Sequence, residues 1–199
     1  PLHAGRAGAH RGPPAFPSAD PRMTNEGFRQ AVADVRVLVR WLRGRGARHV
    51  GLIGMSLGGY TSALVATVTD EIDFVVPMIP LASVADFARE QGRLGVGPEA
   101  DETHGALERA NRIVSPLARE LRVPPERALV IAAEHDRITP VSHARRIAGH
   151  FGSELRTIGG GHLLQVWRKE AFRAVGAMLE REQIVGPRGA RHRGPASSG

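Results

Sequence analysis

The feature that most constrains the fold of this 199-residue chain is the pentapeptide Gly-Met-Ser-Leu-Gly at positions 54–58. A short apolar run at 50–53, typical of a buried parallel strand, leads directly into it, and small residues typical of a helix follow. Between a strand and a helix, this pattern holds Ser56 in a strained backbone conformation, with its hydroxyl above the first N–H groups of the helix. Gly54 and Gly58 are expected to avoid a clash of Cβ atoms where the strand and the helix meet. The alternative is a glycine-rich turn without chemistry.

Length and composition predict a single domain without membrane-spanning segments. The chain is 42% apolar with a mean hydropathy of -0.19, which is enough for one sizeable core. No apolar run approaches the roughly 18 residues that a membrane-spanning helix needs, and the first residues show no signal-peptide pattern. The absence of cysteine excludes disulfides and thiol chemistry. These features predict a soluble, cytoplasmic protein with no integral membrane segment.

The charge of the chain is positive, but its distribution does not indicate nucleic-acid binding. The formal net charge is +7, and all but one of the 27 basic residues are arginine. The arginines are scattered, except for three in the acid-free stretch 186–199. No recognition motif and no interleaved aromatic residues accompany them. We therefore predict no nucleic-acid partner and a disordered tail at 184–199.

Periodic apolar residues predict strands that alternate with helices. Four buried strands are expected at 50–53, 74–81, 128–133 and 154–158. Helices are expected at 24–43, 57–69, 115–121, 140–149 and 163–182. Thr24 and Thr139 are placed to act as N-caps of two of these helices. The pattern favours an α/β fold with about four mostly parallel strands and helices on both faces of the sheet.

Residues 82–113 fit neither element well. They are mixed polar residues with several glycines, too long for a plain strand-to-helix connection, and we interpret them as a lid candidate. The apolar residues Leu94, Val96 and Leu107 suggest an uncharged or lipid-like acyl substrate. The proline-rich residues 1–22 are expected to form a loop at the start of a partial domain spanning residues 1–183.

Three polar residues follow the ends of predicted strands in an order that has chemical meaning. A serine nucleophile needs a general base and a group that orients this base, and such groups meet at the carboxyl edge of a parallel sheet. Ser56, Asp136 and His162 follow the first, third and fourth strands, which is the chain order of the α/β-hydrolase arrangement. Glu134 is a rival acid, but Asp136 lies further beyond the strand. Asp136 could also be a simple turn cap, and His162 a solvated loop residue.

The remaining histidines carry no predicted chemistry. Three glycines precede His162 and allow the chain to turn its imidazole toward Ser56. His135, His143 and His150 lack such a setting and are expected at the surface. No His-Glu-x-x-His spacing or similar pattern supports a metal, and no cofactor is implied.

These residues resemble those of the α/β-hydrolase superfamily and, more narrowly, those of the family of alpha/beta hydrolase domain-containing protein 18. The narrower resemblance covers most of residues 1–183 and rests on the stretches 1–6, 54–59, 74–80 and 159–163.

The resemblance implies a role for each candidate residue. Ser56 would be the nucleophile, His162 the general base and then the general acid, and Asp136 the residue that orients the imidazole. Gly54, Met55 and Gly58 would form the turn around Ser56, known as the nucleophile elbow.

The resemblance also implies an eight-stranded sheet, of which only the part from the nucleophile strand onward can be counted. We therefore expect an N-terminally truncated domain whose first strand is an unpaired edge. The backbone N–H of Leu57 is then the one oxyanion-hole donor that can be named. Because loss of one donor typically costs about a hundred- to thousandfold in rate, we expect such a fragment to be weakly active or inactive alone.

The function predicted from the sequence is hydrolysis of carboxylic esters or related acyl compounds through an acyl-enzyme. The substrate would be a small or lipid-like molecule, and the sequence does not predict an oligomeric state. A peptidase or acyltransferase with the same residues, or a non-catalytic scaffold that keeps the fold, are the alternatives.

Overall fold

A four-stranded parallel sheet organises the computed structural model, which describes residues 16–18, 20–162 and 168–186. The strands are β1 Gly51–Met55, β2 Phe74–Met78, β3 Leu129–Ala133 and β4 Glu154–Ile158. They lie in the order β1-β2-β3-β4, and every neighbouring pair is parallel. The predicted α/β fold with four parallel strands is therefore confirmed.

Helices connect the strands. They are α1 Pro21–Gly44, α2 Leu57–Val68, α3 Val84–Glu90, α4 Pro98–Asn111, α5 Val141–Phe151 and α6 Arg168–Arg181. Short 3-10 turns occupy Arg112–Val114, Pro116–Ala118 and Pro125–Arg127. None of the described helices combines the length and the apolar character needed to cross a membrane. The first 15 residues and most of the basic tail, residues 187–199, lie outside the described residues, so the predictions for them stay predictions.

The helix caps differ from those predicted. α1 begins at Pro21, and the side chain of Asp20 accepts a hydrogen bond from the N–H of Arg22 at 2.9 Å, so Asp20 is the N-cap. Thr24 lies inside the helix, and its hydroxyl donates to the carbonyl of Ser18 at 2.9 Å. An aspartate followed by proline at the first helical position is a strong start signal, and it places the start of α1 within the predicted loop 1–22.

The observed bounds of three other elements also differ from the predicted ones. Pro140 is the N-cap of α5, while the side chain of Thr139 is used at the sheet edge. The helix expected at 115–121 is a single 3-10 turn, Pro116–Ala118. β2 ends at Met78, because Ile79 turns the chain with a φ of 40°. The predicted start of the last helix falls on residues 163–167, outside the described part of the chain.

Both faces of the sheet are covered by helices, as predicted. On one face α6 packs on the central strands, with Val76, Ile131 and Val175 in the core. On the opposite face α1 and α2 pack near β2, and α5 packs on β3. Apolar side chains alternate between the faces along each strand, so neighbouring residues such as Val75 and Val76 enter different cores.

The nucleophile strand β1 lies at the edge of the described sheet. Its neighbour there is β2, with Ile53 opposite Val76 in the register. The exposed fractions of Ile53 and Met55 are 47% and 44%, although Val76 on the same face is fully buried. The expected edge position of this strand is confirmed within the described residues.

The lid candidate is more ordered than its sequence indicates. It contains α3 and α4, joined by a turn in which Val96 is 97% exposed, while Leu94 and Leu107 are partly buried. Polar contacts hold α3 against α5: Arg146 pairs with Asp86, and His143 Nε2 lies 2.7 Å from Glu90 Oε2.

His143 is not a surface residue, which corrects the prediction. It is 1% exposed, and its Nδ1 accepts a hydrogen bond from the backbone N–H of Ala82 at 3.0 Å. Glu90 accepts from the other ring nitrogen, so both nitrogens of a buried imidazole are satisfied. By contrast, His135 and His150 are exposed, as expected.

Candidate functional site

Ser56 occupies the turn between β1 and α2 in a strained conformation. Its φ and ψ are 55° and -118°, values that a residue with a Cβ atom rarely adopts. Its backbone is held on both sides: the N–H of Ser56 donates to the carbonyl of Met78 at 2.9 Å, and its carbonyl accepts from Tyr60 at 3.0 Å. The strained geometry expected of the Gly-x-Ser-x-Gly pattern is confirmed.

The two glycines of the pattern have different roles. A Cβ atom on Gly54 would lie 2.0 Å from the carbonyl oxygen of Gly58, a distance that no real packing allows. A Cβ atom on Gly58 itself would have no described atom within 4 Å. The expected clash therefore exists at Gly54 and not at Gly58, because the backbone of Gly58 is what approaches Gly54. The prediction for the Gly58 side was wrong.

Ser56 immediately precedes the N-terminus of α2. The first backbone bond of the helix is that from Tyr60 to Ser56, so the N–H groups of Leu57 and Gly58 come before the first intrahelical bond. The positive end of the helix dipole lies at the same place. The arrangement favours negative charge that develops on an atom bound beside Ser56.

Asp136 lies just beyond β3 and is enclosed by hydrogen bonds. Its side chain is 0% exposed. Oδ1 accepts from the backbone N–H groups of Ile138 and Thr139, both at 2.8 Å, and Oδ2 faces the imidazole of His162. Glu134, the rival acid, is exposed at the surface. Three hydrogen-bond donors, two backbone N–H groups and an imidazole, therefore surround this buried carboxylate.

His162 lies beyond β4 and contacts Asp136. Its Nδ1 is 2.8 Å from Asp136 Oδ2, and its side chain is 11% exposed. Because an ionised carboxylate only accepts, Nδ1 carries the proton, and in the neutral imidazole Nε2 is the basic nitrogen. The glycine segment before His162 is held by a backbone hydrogen bond. Gly160 has a φ of 101°, and its carbonyl accepts from the N–H of His135 at 3.0 Å. The loop after β4 is thus tied to the loop after β3.

Thr139 contributes to the site in a way that its sequence context does not indicate. This residue is 3% exposed, and its Oγ1 lies 3.0 Å from the carbonyl of Ile79, 3.0 Å from Asp136 Oδ2 and 3.2 Å from His162 Nδ1. Because Thr139 precedes a proline, its sequence context predicts a helix N-cap, and no local pattern indicates a contact with Asp136 or His162. The hydroxyl joins the acid and the imidazole to the end of β2.

The end of β2 also connects to Ser56. Met78 accepts from the N–H of Ser56, and the next residue, Ile79, accepts from Thr139. The φ of 40° at Ile79 is unusual for a β-branched residue and lets successive carbonyls face different partners. A hydrogen-bonded path therefore runs from the Ser56 backbone through β2 to Asp136.

The third contact of a Ser-His-Asp arrangement is not made by the described residues. Ser56 Oγ forms no hydrogen bond within the described ranges, whereas Asp136 and His162 are directly bonded. The structure thus brings the acid and the imidazole together at the sheet edge to which Ser56 also belongs.

One group of side chains has the spacing of a metal site, away from Ser56. Asp86, His104 and Glu108 place one potential ligand atom each within 4.8 Å of one another. Arg146 already pairs with Asp86, and the hydroxyl of Ser83 donates to Glu108. We interpret the group as an ion-pair network that joins the lid candidate to α5.

Comparison with known proteins gives one matching family. The model of the Peptidase_S15 family, described as X-Pro dipeptidyl-peptidase (S15 family), matches residues 21–140, more than half of the chain. The uncharacterized protein Rv2627c of Mycobacterium tuberculosis (strain H37Rv) is 29% identical over 188 residues. The match covers 93% of this chain and 46% of that protein, so the chain spans about half the length of the curated relatives it matches.

Solved structures share the fold. The acylaminoacyl peptidase of Pyrococcus horikoshii superimposes with a TM-score of 0.58 at 16% identity, covering 82% of this chain and 29% of that one. The esterase Pf2001 of Pyrococcus furiosus superimposes with a TM-score of 0.57 at 19% identity, covering 75% of this chain and 61% of that one. At these identities the likeness concerns the fold alone, and the fold is that of an α/β-hydrolase.

The comparisons correct the narrower resemblance. They support the α/β-hydrolase superfamily but not the family of alpha/beta hydrolase domain-containing protein 18. Of the stretches that suggested it, 54–59 spans the turn from β1 into α2, and residues 159–162 follow the end of β4.

Proposed function

This chain belongs to the X-Pro dipeptidyl-peptidase family S15, and on that premise we propose that it is a serine hydrolase of acyl substrates. Ser56 is the nucleophile, His162 the general base, and Asp136 the residue that orients the imidazole. The observation that carries the proposal is the 2.8 Å bond between His162 Nδ1 and Asp136 Oδ2, at the same sheet edge as a strained serine. A buried, fully satisfied carboxylate bonded to Nδ1 is what a general base needs in order to present Nε2.

In the first step Ser56 Oγ attacks the carbonyl carbon of the substrate while His162 Nε2 takes the hydroxyl proton. The C–O or C–N bond to the leaving group then breaks, and the leaving group takes that proton from His162. The product of this half-reaction is an ester between Ser56 and the acyl group. Water then attacks the acyl-enzyme, again with His162 as base, and releases the carboxylic acid and the free serine.

The negative charge of each tetrahedral intermediate lies beside the first turn of α2. The backbone N–H of Leu57 is the proposed oxyanion donor, since it precedes the first intrahelical bond. Its amide is part of a helix start fixed by the Tyr60 to Ser56 bond, so it requires no rearrangement when charge develops.

The substrate we propose is a carboxylic ester or a related small or lipid-like acyl compound. A second candidate is a peptide bond, which the family description and the fold neighbour named acylaminoacyl peptidase favour. The same catalytic groups serve both reactions, so the leaving group and the specificity pocket distinguish them.

The nucleophile is tested by labelling with a fluorophosphonate, which reacts with activated serines. We expect slow labelling of the unaltered protein, in keeping with a single proposed oxyanion donor, and no labelling of Ser56→Ala or His162→Ala. Ser153→Ala is a matched control, because Ser153 Oγ has no hydrogen-bond partner among the described residues and lies outside the site. Labelling that persists in Ser56→Ala would overturn the assignment.

The substrate class is tested separately with chromogenic compounds. We compare the rates of hydrolysis by the unaltered protein and by Ser56→Ala for three compounds: p-nitrophenyl butyrate, p-nitrophenyl octanoate and an Xaa-Pro p-nitroanilide. Serine-dependent turnover of the esters, faster for the octanoate, supports the proposed substrate class. Turnover of the anilide alone supports the peptidase.

A further inference from the structure

A cavity of about 320 Å³ lies between α1, α2 and the 3-10 turn Arg112–Val114. Its lining includes Leu64 and Val68 of α2, which follow Ser56 by 8 and 12 residues (64 minus 56, 68 minus 56). At the rise of an α-helix, Leu64 lies about 12 Å along the axis from the Ser56 end. The cavity is therefore separate from the candidate catalytic site.

The inner part of the cavity is apolar. Val32, Leu64, Val68 and Val114 contribute to its lining, and the exposed fractions of Leu64 and Val114 are only 2% and 6%. At the rim, Ile113 has an exposed fraction of 66%, so part of the apolar lining is in contact with water. A ligand with an apolar body would remove this surface from water.

The outer part of the cavity is cationic. Arg22, Arg29 and Arg36 of α1 all line it. They are seven residues apart, which is about two helical turns, so they form one stripe along the helix.

One of these arginines is neutralised within the protein, and a second shares its partner with another arginine. Arg29 makes two hydrogen bonds to Glu26, at 2.5 and 2.7 Å, and these bonds lower the pKa of the Glu26 carboxyl. Arg36 lies 3.4 Å from Glu71, but Glu71 also pairs with Arg40 at 2.6 Å, so this carboxylate is shared.

Arg22 forms no ion pair within the described part of the chain and is exposed at the cavity. The cavity thus presents the guanidinium of Arg22, which has no carboxylate partner among the described residues, beside an apolar interior. A guanidinium matches a carboxylate with two parallel hydrogen bonds.

We propose that this cavity binds a small amphiphilic carboxylate, with its apolar body against Val32 and Val68 and its single negative charge on Arg22. The cavity volume is at the small end of the range for ligand sites, which suits a medium-chain aliphatic acid. The proposal does not depend on the catalytic role of Ser56.

The test is calorimetric titration of the protein with octanoate, below the concentration at which it forms micelles. Octanol and octylammonium are the matched ligands without charge and with the opposite charge. We expect binding of octanoate, weaker binding of octanol and none of octylammonium. Absence of octanoate binding, or octanol binding as tight as octanoate, would overturn the proposal.

Three variants locate the binding. Arg22→Gln removes the free charge and Val68→Phe narrows the apolar part, and each should weaken octanoate binding by about tenfold or more. Arg48→Gln removes an exposed arginine that does not line the cavity and should change nothing. Thermal melting of each variant shows that it is folded. Equal weakening by Arg48→Gln, or unchanged binding by folded Arg22→Gln, would contradict the assignment.

Discussion

The hydroxyl of Thr139 lies beside both the acid and the imidazole of the candidate site. Three polar groups lie within hydrogen-bond distance of Thr139 Oγ1: the carbonyl of Ile79, Asp136 Oδ2 and His162 Nδ1. The hydroxyl has only one hydrogen to donate. Since Nδ1 already donates to Asp136, the hydroxyl proton goes to Ile79 or to the carboxylate, and the oxygen packs against the imidazole. Thr139 is therefore a positioning residue in the proposed mechanism.

We predict that Thr139→Val lowers kcat for ester hydrolysis about tenfold, with a smaller change in KM. The reason is that one hydrogen bond near the imidazole is lost, which typically costs about 1 kcal/mol, while the acyl-binding surface is unchanged. Thr139→Ser keeps the hydroxyl and should restore most of kcat. A valine variant with unchanged kcat, or a serine variant as slow as the valine one, would show that the contact has only a structural role.

The lid candidate shows what individual helices add to the sheet. α3 and α4 contact each other and are joined to α5 by charged side chains. Burial alone would raise the pKa of the Asp86 carboxyl, but the hydrogen bonds from Arg146 and His104 outweigh this and hold it below the ordinary value of 3.8. The charge of Asp86 therefore favours the folded state.

This shift has a predictable pH dependence. Because the folded-state pKa of Asp86 is lowered, its stabilisation is fully present above the ordinary pKa and is lost as the pH falls through the folded-state value. We predict that Asp86→Asn lowers the melting temperature at about pH 6, and that this difference shrinks toward about pH 3.

Asp101→Asn is the matched control for the Asp86 experiment. Asp101 pairs with Arg89 at 3.0 Å, but its side chain is 75% exposed, and such surface pairs contribute little to stability. Its melting temperature should stay close to that of the unaltered protein across the same pH range. A pH-independent difference for Asp86→Asn would contradict the assigned charge effect.

On the scale of the whole molecule, the edge strand β1 exposes two large apolar side chains, Ile53 and Met55. Within the described residues it has a neighbour on one side only, and Ile53 and Met55 are about half exposed on the face that α6 covers elsewhere. Unpaired backbone groups beside apolar side chains are a template for pairing with another strand.

We predict that the chain self-associates through β1. Ile53→Lys should shift the sedimentation profile toward the monomer, because a charged edge residue opposes strand pairing. Val37→Lys is the control. Val37 is 66% exposed on α1, which packs on the face of the sheet opposite to Ile53, and its substitution removes a similar apolar surface. A monomeric profile of the unaltered chain at all concentrations, or an equal effect of Val37→Lys, would contradict this prediction.

Local sequence patterns were sufficient to predict the order of the strands and the position of the candidate site. Alternation along a strand and spacing along a helix involve residues close in sequence, so the four strands and the turn at Ser56 could be predicted. Because carboxyl ends of parallel strands share one edge, the proximity of Asp136 and His162 also followed and is confirmed.

Contacts between distant residues decided the rest. His143 is buried because its ring bonds to Ala82, 61 positions away, and to Glu90, 53 positions away, which no local pattern contains. The first residues of α1 and α5 depended on which of several nearby residues acts as the N-cap. The role of Thr139 depended on its bond to Ile79, 60 positions away. The sequence by itself determined which segments form the sheet and which residues reach its edge. Only the tertiary structure decided which polar groups are buried, because burial depends on what the other elements place around them.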